Sequence, residues 1–197
     1  MNRALFCSAL TVAVAFSARA WADEDHSGQD VTIDADTTWD GSHTNIKTLT
    51  VSAGATLKVT AGQPLAIFAQ HIMIAGAVDA NGAGYAAVSG ASDTGKDGSG
   101  PGAGKKGGAT MFGGGGAAYG GKGGCGRNAA GCAGAGGTPY GSALDGLLEL
   151  GSSGGSAGGI AAQSPGPPSG AGGGALTLSA DQIDISGSVS ADGARVC

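Results

Sequence analysis

One internal relation constrains this chain's fold more than any other. The segment from Leu65 to Ala83, LAIFAQHIMIAGAVDANGA, aligns without a gap on Leu176 to Ala194, LTLSADQIDISGSVSADGA, at an offset of 111 residues. Nine of the 19 positions are identical, among them Ile72/Ile183, Ile74/Ile185, Gly76/Gly187 and Val78/Val189. The matches fall mostly on alternate positions. Side chains along a strand point to opposite faces in turn, so matching on every second residue marks one buried face. The intervening pairs Met73/Asp184 and Asp79/Ser190 differ, as an outer face does.

A looser copy precedes the pair. Leu49 to Val59 reads as two short alternating strands around a turn at Gly54, and Val31-Thr32-Ile33 starts an earlier unit. No segment carries a helical apolar stripe longer than two turns. The best helix candidate, Ser142 to Leu150, is interrupted by Gly146. Strands joined by small-residue turns, with no helices between them, can stack coil on coil so that inward aliphatics form ladders. Gly, Asn and Asp permit the corners. The expected fold class is therefore all-β: a short parallel β-helix solenoid with a long glycine-rich, partly disordered loop. An antiparallel sandwich of hairpins is the competing topology. The gapless offset favours the solenoid, because the chain resumes its pattern after a long excursion. The last coil of such a stack exposes a ladder edge, which invites pairing with another chain.

That excursion holds most of the glycine. Of 42 Gly, 31 lie in residues 98–174. The chain divides into N-terminal coils at 23–82, a glycine-rich insertion at 83–174, and a C-terminal coil of the same domain at 175–197. Gly, Ala, Ser and Pro offer too little apolar surface for a separate core. Disorder is expected over 88–110. Residues 138–160 are expected to drape on the solenoid, with Tyr85, Phe112, Tyr119, Tyr140 and the leucines of 144–150 as anchors. Glycine abundance also generates chance motifs. Gly102 to Gly107 fits G-x-G-x-x-G without the strand and helix that a dinucleotide site needs, and Lys106 stands where a phosphate loop has Ser or Thr. No cofactor is expected.

Residues 1–22 read as an export signal. Arg3 supplies the charged start, Ala4 to Phe16 an apolar stretch too short to span a bilayer, and Ala20-Trp21-Ala22 the small residues of a cleavage site. The expected destination is secreted, extracellular or at the cell surface, with the periplasm as a variant. No later run of 18 apolar residues occurs, so no membrane span is expected. Without residues 1–22, eight basic residues face 15 acidic ones, a formal charge of −7. An acidic chain is repelled by nucleic acid and by anionic lipid. In an oxidising compartment Cys125 and Cys132 are expected to form a disulfide closing a small loop, which leaves Cys197 over.

Candidate chemistry is sparse. His26, His43 and His71 are far apart in sequence and read as surface side chains, with no metal site expected. Asp34-Ala35-Asp36 and Asp40 do not make a calcium loop, because Trp39 stands where the loop glycine is needed. Outward candidates for work on acidic polysaccharide are Lys58, Asp79, Asp184 and Asp192, but Asp79 and Asn81, like their repeat partners Ser190 and Asp192, read better as corner residues. No catalytic set is assigned.

The run Gly137-Thr138-Pro139-Tyr140-Gly141, followed by Leu147-Leu148-Glu149-Leu150-Gly151-Ser152-Ser153-Gly154-Gly155, then Gly172-Gly173-Gly174-Ala175-Leu176-Thr177-Leu178 and Ile183 to Gly193, resembles the glycine-rich parallel β-helix proteins that many bacteria export, of pectin-lyase-like solenoid architecture. The resemblance covers about residues 65–193. It implies an exported surface or matrix solenoid and transfers no catalytic residue. Members of that group continue with further coils after the "SADG" segment, whereas this sequence runs four residues more. The expectation is a secreted structural or adhesive protein without catalytic activity, partnered by surface or matrix polysaccharide or by other solenoid chains. The alternatives are a polysaccharide-binding or polysaccharide-cleaving protein, and a truncated fragment of a longer solenoid.

Overall fold

The computed structural model describes residues 23–90, 94–108, 112–128, 131–141, 148–159 and 165–194. The described residues are all-β, without a helix. The chain alternates between two sheets. One takes β1 (Glu24–Ile33), β3 (Gly41–Val51), β5 (Leu65–Ile74), β9 (Leu176–Ser179) and β10 (Gln182–Ile185). The other takes β2 (Thr37–Trp39), β4 (Thr56–Val59), β6 (Ala77–Asp79) and β11 (Ser188–Ser190). Every pairing within these two sheets is parallel. A separate antiparallel hairpin joins β7 (Gly126–Asn128) to β8 (Gly131–Gly134). The helix candidate at 142–150 lies mostly outside the described residues, as do the export signal and Cys197.

The 111-residue repeat is a register. Leu65 pairs with Leu176, Ile72 with Ile183, Ile74 with Ile185 and Val78 with Val189. Inward aliphatics therefore stand in columns. Ile33, Val51, Ile74 and Ile185 form one, and Leu57, Val78 and Val189 another. Ile46, Leu49, Val51, Leu57, Leu65, Ile67, Ile72, Ile74 and Val78 are almost fully buried and make up the core. Burial of each stabilises by about 1.5–3 kcal/mol relative to exposure. The glycine identical in both repeats has a steric reason. A Cβ on Gly76 would collide with the carbonyls of Ser52 and Ala55, and one on Gly187 with the carbonyl of Gly76.

The insertion departs from expectation. Residues 94–108, expected to be disordered, are held by backbone hydrogen bonds on several sides. The Lys105 amide donates to the Ala135 carbonyl at 2.8 Å, Gly115 donates to Lys105 at 2.7 Å, Gly155 donates to Gly115 at 2.9 Å, and Ser156 donates to Lys96 at 2.9 Å. Extended segments lie backbone against backbone with no room for side chains. A Cβ on Gly104 would strike the Gly115 carbonyl, and one on Gly115 the Ala135 carbonyl. Four serines finish the network. The hydroxyls of Ser152, Ser153, Ser156 and Ser169 are buried and accept hydrogen bonds from the amides of Gly102, Ser99, Lys96 and Val88 at 2.7–2.9 Å. Apolar burial is indeed scarce in this region. Satisfied buried amides, together with glycines that let chains approach, supply the order instead. The array joins the sheets where Gly84 donates to Gly172 at 2.8 Å and Gly174 donates to Ala80 at 2.8 Å. Of the expected anchors, Tyr119 and Tyr140 meet edge to face at 5.0 Å, and the Tyr140 hydroxyl donates to the Leu150 carbonyl at 2.6 Å.

Candidate functional site

Two places on the molecule carry features beyond folding. The first is the free edge formed by β10 and β11. Both strands are terminal in their sheets. Their inward-column residues Ile183, Ile185 and Val189 are 40%, 52% and 38% exposed, whereas Ile72, Ile74 and Val78 in the rung beneath are at most 1% exposed. Among the described residues, the edge thus presents both unpaired strand backbone and an open aliphatic row. The opposite edge, β1 and β2 with the turn between them, carries Glu24, Asp25, Asp30, Asp34 and Asp36. Charge on an edge strand discourages pairing with another chain.

The second place is the start of β1 and β3. His26, Trp39 and His43 stack there, with Trp39 and His43 ring centroids 4.0 Å apart and nearly parallel at 12°. His26 Nε2 lies 3.1 Å from His43 Nδ1. The Glu24 carboxylate lies 3.7 Å from His43 Nδ1 and 3.9 Å from His26 Nδ1. Irregularities in two pairings aim these side chains at one another: β1 slips against β3 between Asp25 and Gln29 and again between Gln29 and Val31, and β3 slips against β5 between His43 and Ile46. Ser27, Gly28 and Asn45, all with positive φ, sit at the slips. The Asp25 carboxylate accepts the Ser27 amide at 2.7 Å and fixes the first.

His43 occupies a core position. It pairs with Ile67, which pairs with Leu178, and it is 3% exposed. Burial pushes its pKa below the ordinary imidazole value, and the neighbouring His26 adds to that. The ring is neutral at neutral pH, with a nitrogen lone pair available. Its Nε2 is buried with no hydrogen-bond partner among the described residues. The expectation that His26 and His43 are surface side chains is therefore corrected: the stack with Trp39 encloses both. His71 does lie exposed, opposite Gln182. Nothing local in the sequence marks the pair, because 17 residues separate the two histidines and the bulges set their meeting.

The remaining candidates fall as follows. Asp79 accepts the Asn81 amide at 2.9 Å, Asn81 donates to the Ser190 hydroxyl at 2.9 Å, and Asn81 Oδ1 accepts the Asp192 amide at 2.6 Å. The first is a turn contact within one rung, and the other two are corner contacts between adjacent rungs. Lys58 faces Asp36 at 3.7 Å, and Asp184 accepts from Gln182 at 2.7 Å. Asp79 and Asp184 stand in different columns, opposite Ser190 and Met73. Cys125 directly precedes β7 and Cys132 lies within β8, both as exposed free thiols. They are neighbours, since a hydrogen bond with Cys125 is the main influence raising the Cys132 pKa. No helix among the described residues is long and apolar enough to cross a membrane. No family model, curated protein or solved structure matches this chain.

Proposed function

We propose that the chain is a short parallel β-helix, exported through residues 1–22, that serves as a structural or adhesive component of a surface or matrix by pairing its β10–β11 edge with the same edge of a second copy. The alternation of consecutive strands between two parallel sheets, with one column of aliphatics running from Ile33 to Ile185, supports the coil reading. The open row of Ile183, Ile185 and Val189 carries the pairing. A second copy of that row is its complement: it is equally apolar, and joining the two covers both. Like edges meeting across a two-fold axis close on themselves and do not propagate. The acidic β1–β2 edge disfavours head-to-tail growth. A structural role fits the engagement of polar groups at the corners, within a turn at Asp79 and between rungs from Asn81 to Ser190 and Asp192.

Sedimentation equilibrium of the purified chain tests this reading. A dimer that becomes monomeric in the double variant Ile185→Lys, Val189→Lys, with an unchanged circular dichroism spectrum, is expected. A wild-type chain that stays monomeric at every concentration overturns the edge pairing. Turnover of an acidic glycan by the chain, lost in Asp184→Ala, overturns the structural role in favour of polysaccharide cleavage.

A further inference from the structure

We propose that Glu24, His26 and His43 form a binding site for one divalent transition-metal ion of the borderline class, with Zn2+ and Cu2+ as the natural occupants. Their donor atoms all lie within 4.8 Å of one another. A tetrahedral ion with bonds of about 2.0–2.1 Å separates its donors by about 3.3 Å. The two imidazole nitrogens stand 3.1 Å apart, and the carboxylate lies 3.7 Å from His43 Nδ1. Closing the site needs Glu24 to swing toward His26 Nε2, and its side chain is 59% exposed and free to do so.

Hydrogen bonding by itself serves this cluster poorly. Two imidazole nitrogens that face each other can share only one hydrogen. A cation between His26 Nε2 and His43 Nδ1 accepts both lone pairs at once. Most of the inward positions around it hold Val, Leu or Ile, and an imidazole replaces an aliphatic in the column of Ile67 and Leu178. Trp39 covers the His43 face and holds the ring's orientation before any ion arrives. Two nitrogen donors and one oxygen select against Ca2+ and Mg2+, which take oxygen ligands. With three protein ligands, the fourth position of a tetrahedral ion is left for water or for a group from a partner.

The experiment uses the chain with all four cysteines replaced by serine, so that thiols neither bind nor reduce the metal. Zn2+ and Cu2+ are titrated by calorimetry, and Co2+ serves as the visible-absorption reporter. One equivalent of Zn2+ or Cu2+ is expected, with d–d bands from Co2+ and a higher unfolding temperature in excess metal. His43→Ala risks unfolding, so the deciding variants are His26→Phe, which keeps a ring in the stack, and Glu24→Gln. Each is expected to weaken binding more than tenfold while leaving the metal-free circular dichroism spectrum unchanged. No binding, affinity unchanged in His26→Phe, or equal binding of Ca2+ overturns the site. The result is independent of the dimer test, because β1 and β10 are opposite edges of their sheet.

Discussion

Ile72 and Ile183 are paired neighbours on adjacent parallel strands although 111 residues separate them. The chain leaves the sheets after β6 and returns in register at β9. The contact is therefore closed by the insertion, and the insertion's own order decides how much entropy that closure costs.

The glycines of the insertion divide into two kinds, and substitution separates them. Gly104 and Gly115 abut carbonyl oxygens, whereas Gly121 and Gly124 have nothing within 4 Å of a built Cβ and ordinary φ. Gly115→Ala is expected to destabilise by about 1–3 kcal/mol, the usual cost of overpacking. Gly124→Ala should be neutral or slightly stabilising. Denaturant unfolding of the two variants checks this. Equal, negligible effects would show that the segment is a flexible linker.

Ser153 is fully buried and its hydroxyl accepts the Ser99 amide at 2.8 Å. Ser153→Ala strands that amide, and a loss of about 1–3 kcal/mol is expected. The same substitution at exposed Ser179 should change stability by less than about 0.5 kcal/mol. Thermal unfolding of both variants gives the comparison.

Asp97 gives the insertion a pH dependence. Its carboxylate accepts the Lys106 amide at 2.8 Å and meets the Lys105 ammonium at 3.1 Å. The Lys106 amide, with help from Lys105, lowers its pKa in the folded chain. The stabilisation it gives is complete above the ordinary carboxylate pKa and disappears as pH falls through the lower folded value. Carboxyl NMR titration should place Asp97 below the ordinary carboxylate pKa. Asp97→Asn should flatten the acid limb of the stability curve.

Cys125 and Cys132 should pair on oxidation. Mass spectrometry after mild oxidation is expected to find a loss of two hydrogens, mapped to a peptide spanning both residues. The oxidised hairpin should be the more resistant to proteolysis between them. Persistent free thiols under those conditions would reverse the expectation.

The sheets were legible because their information is periodic. Alternating Ile and Val, with glycine at matching corners, specify both the strand and its partner, so the pairing of 65–83 with 176–194 follows from the residues alone. Two features were not legible, for different reasons. The insertion's order rests on backbone hydrogen bonds, which every residue can make, and on close approach, which glycine permits but does not announce. Gly-rich disorder and Gly-rich packing therefore share a composition. The buried serines at 152, 153 and 156 were the available signal, since closely spaced hydroxyls can serve the amides of a neighbouring extended segment. The histidine cluster depends on register slips at Ser27-Gly28 and Asn45, and a slip of one residue turns a surface side chain inward. His43 was readable only as the third residue of a strand whose start was hidden by the bulge.

The carbonyl-to-glycine contacts of the insertion bear on inheritance. Any change at the first or second base of a glycine codon adds a side chain, and at Gly104 or Gly115 that side chain has nowhere to go. The stretch with the most monotonous wording is thus the one where single-nucleotide drift is least tolerated, while the varied outer face of the sheets can wander freely.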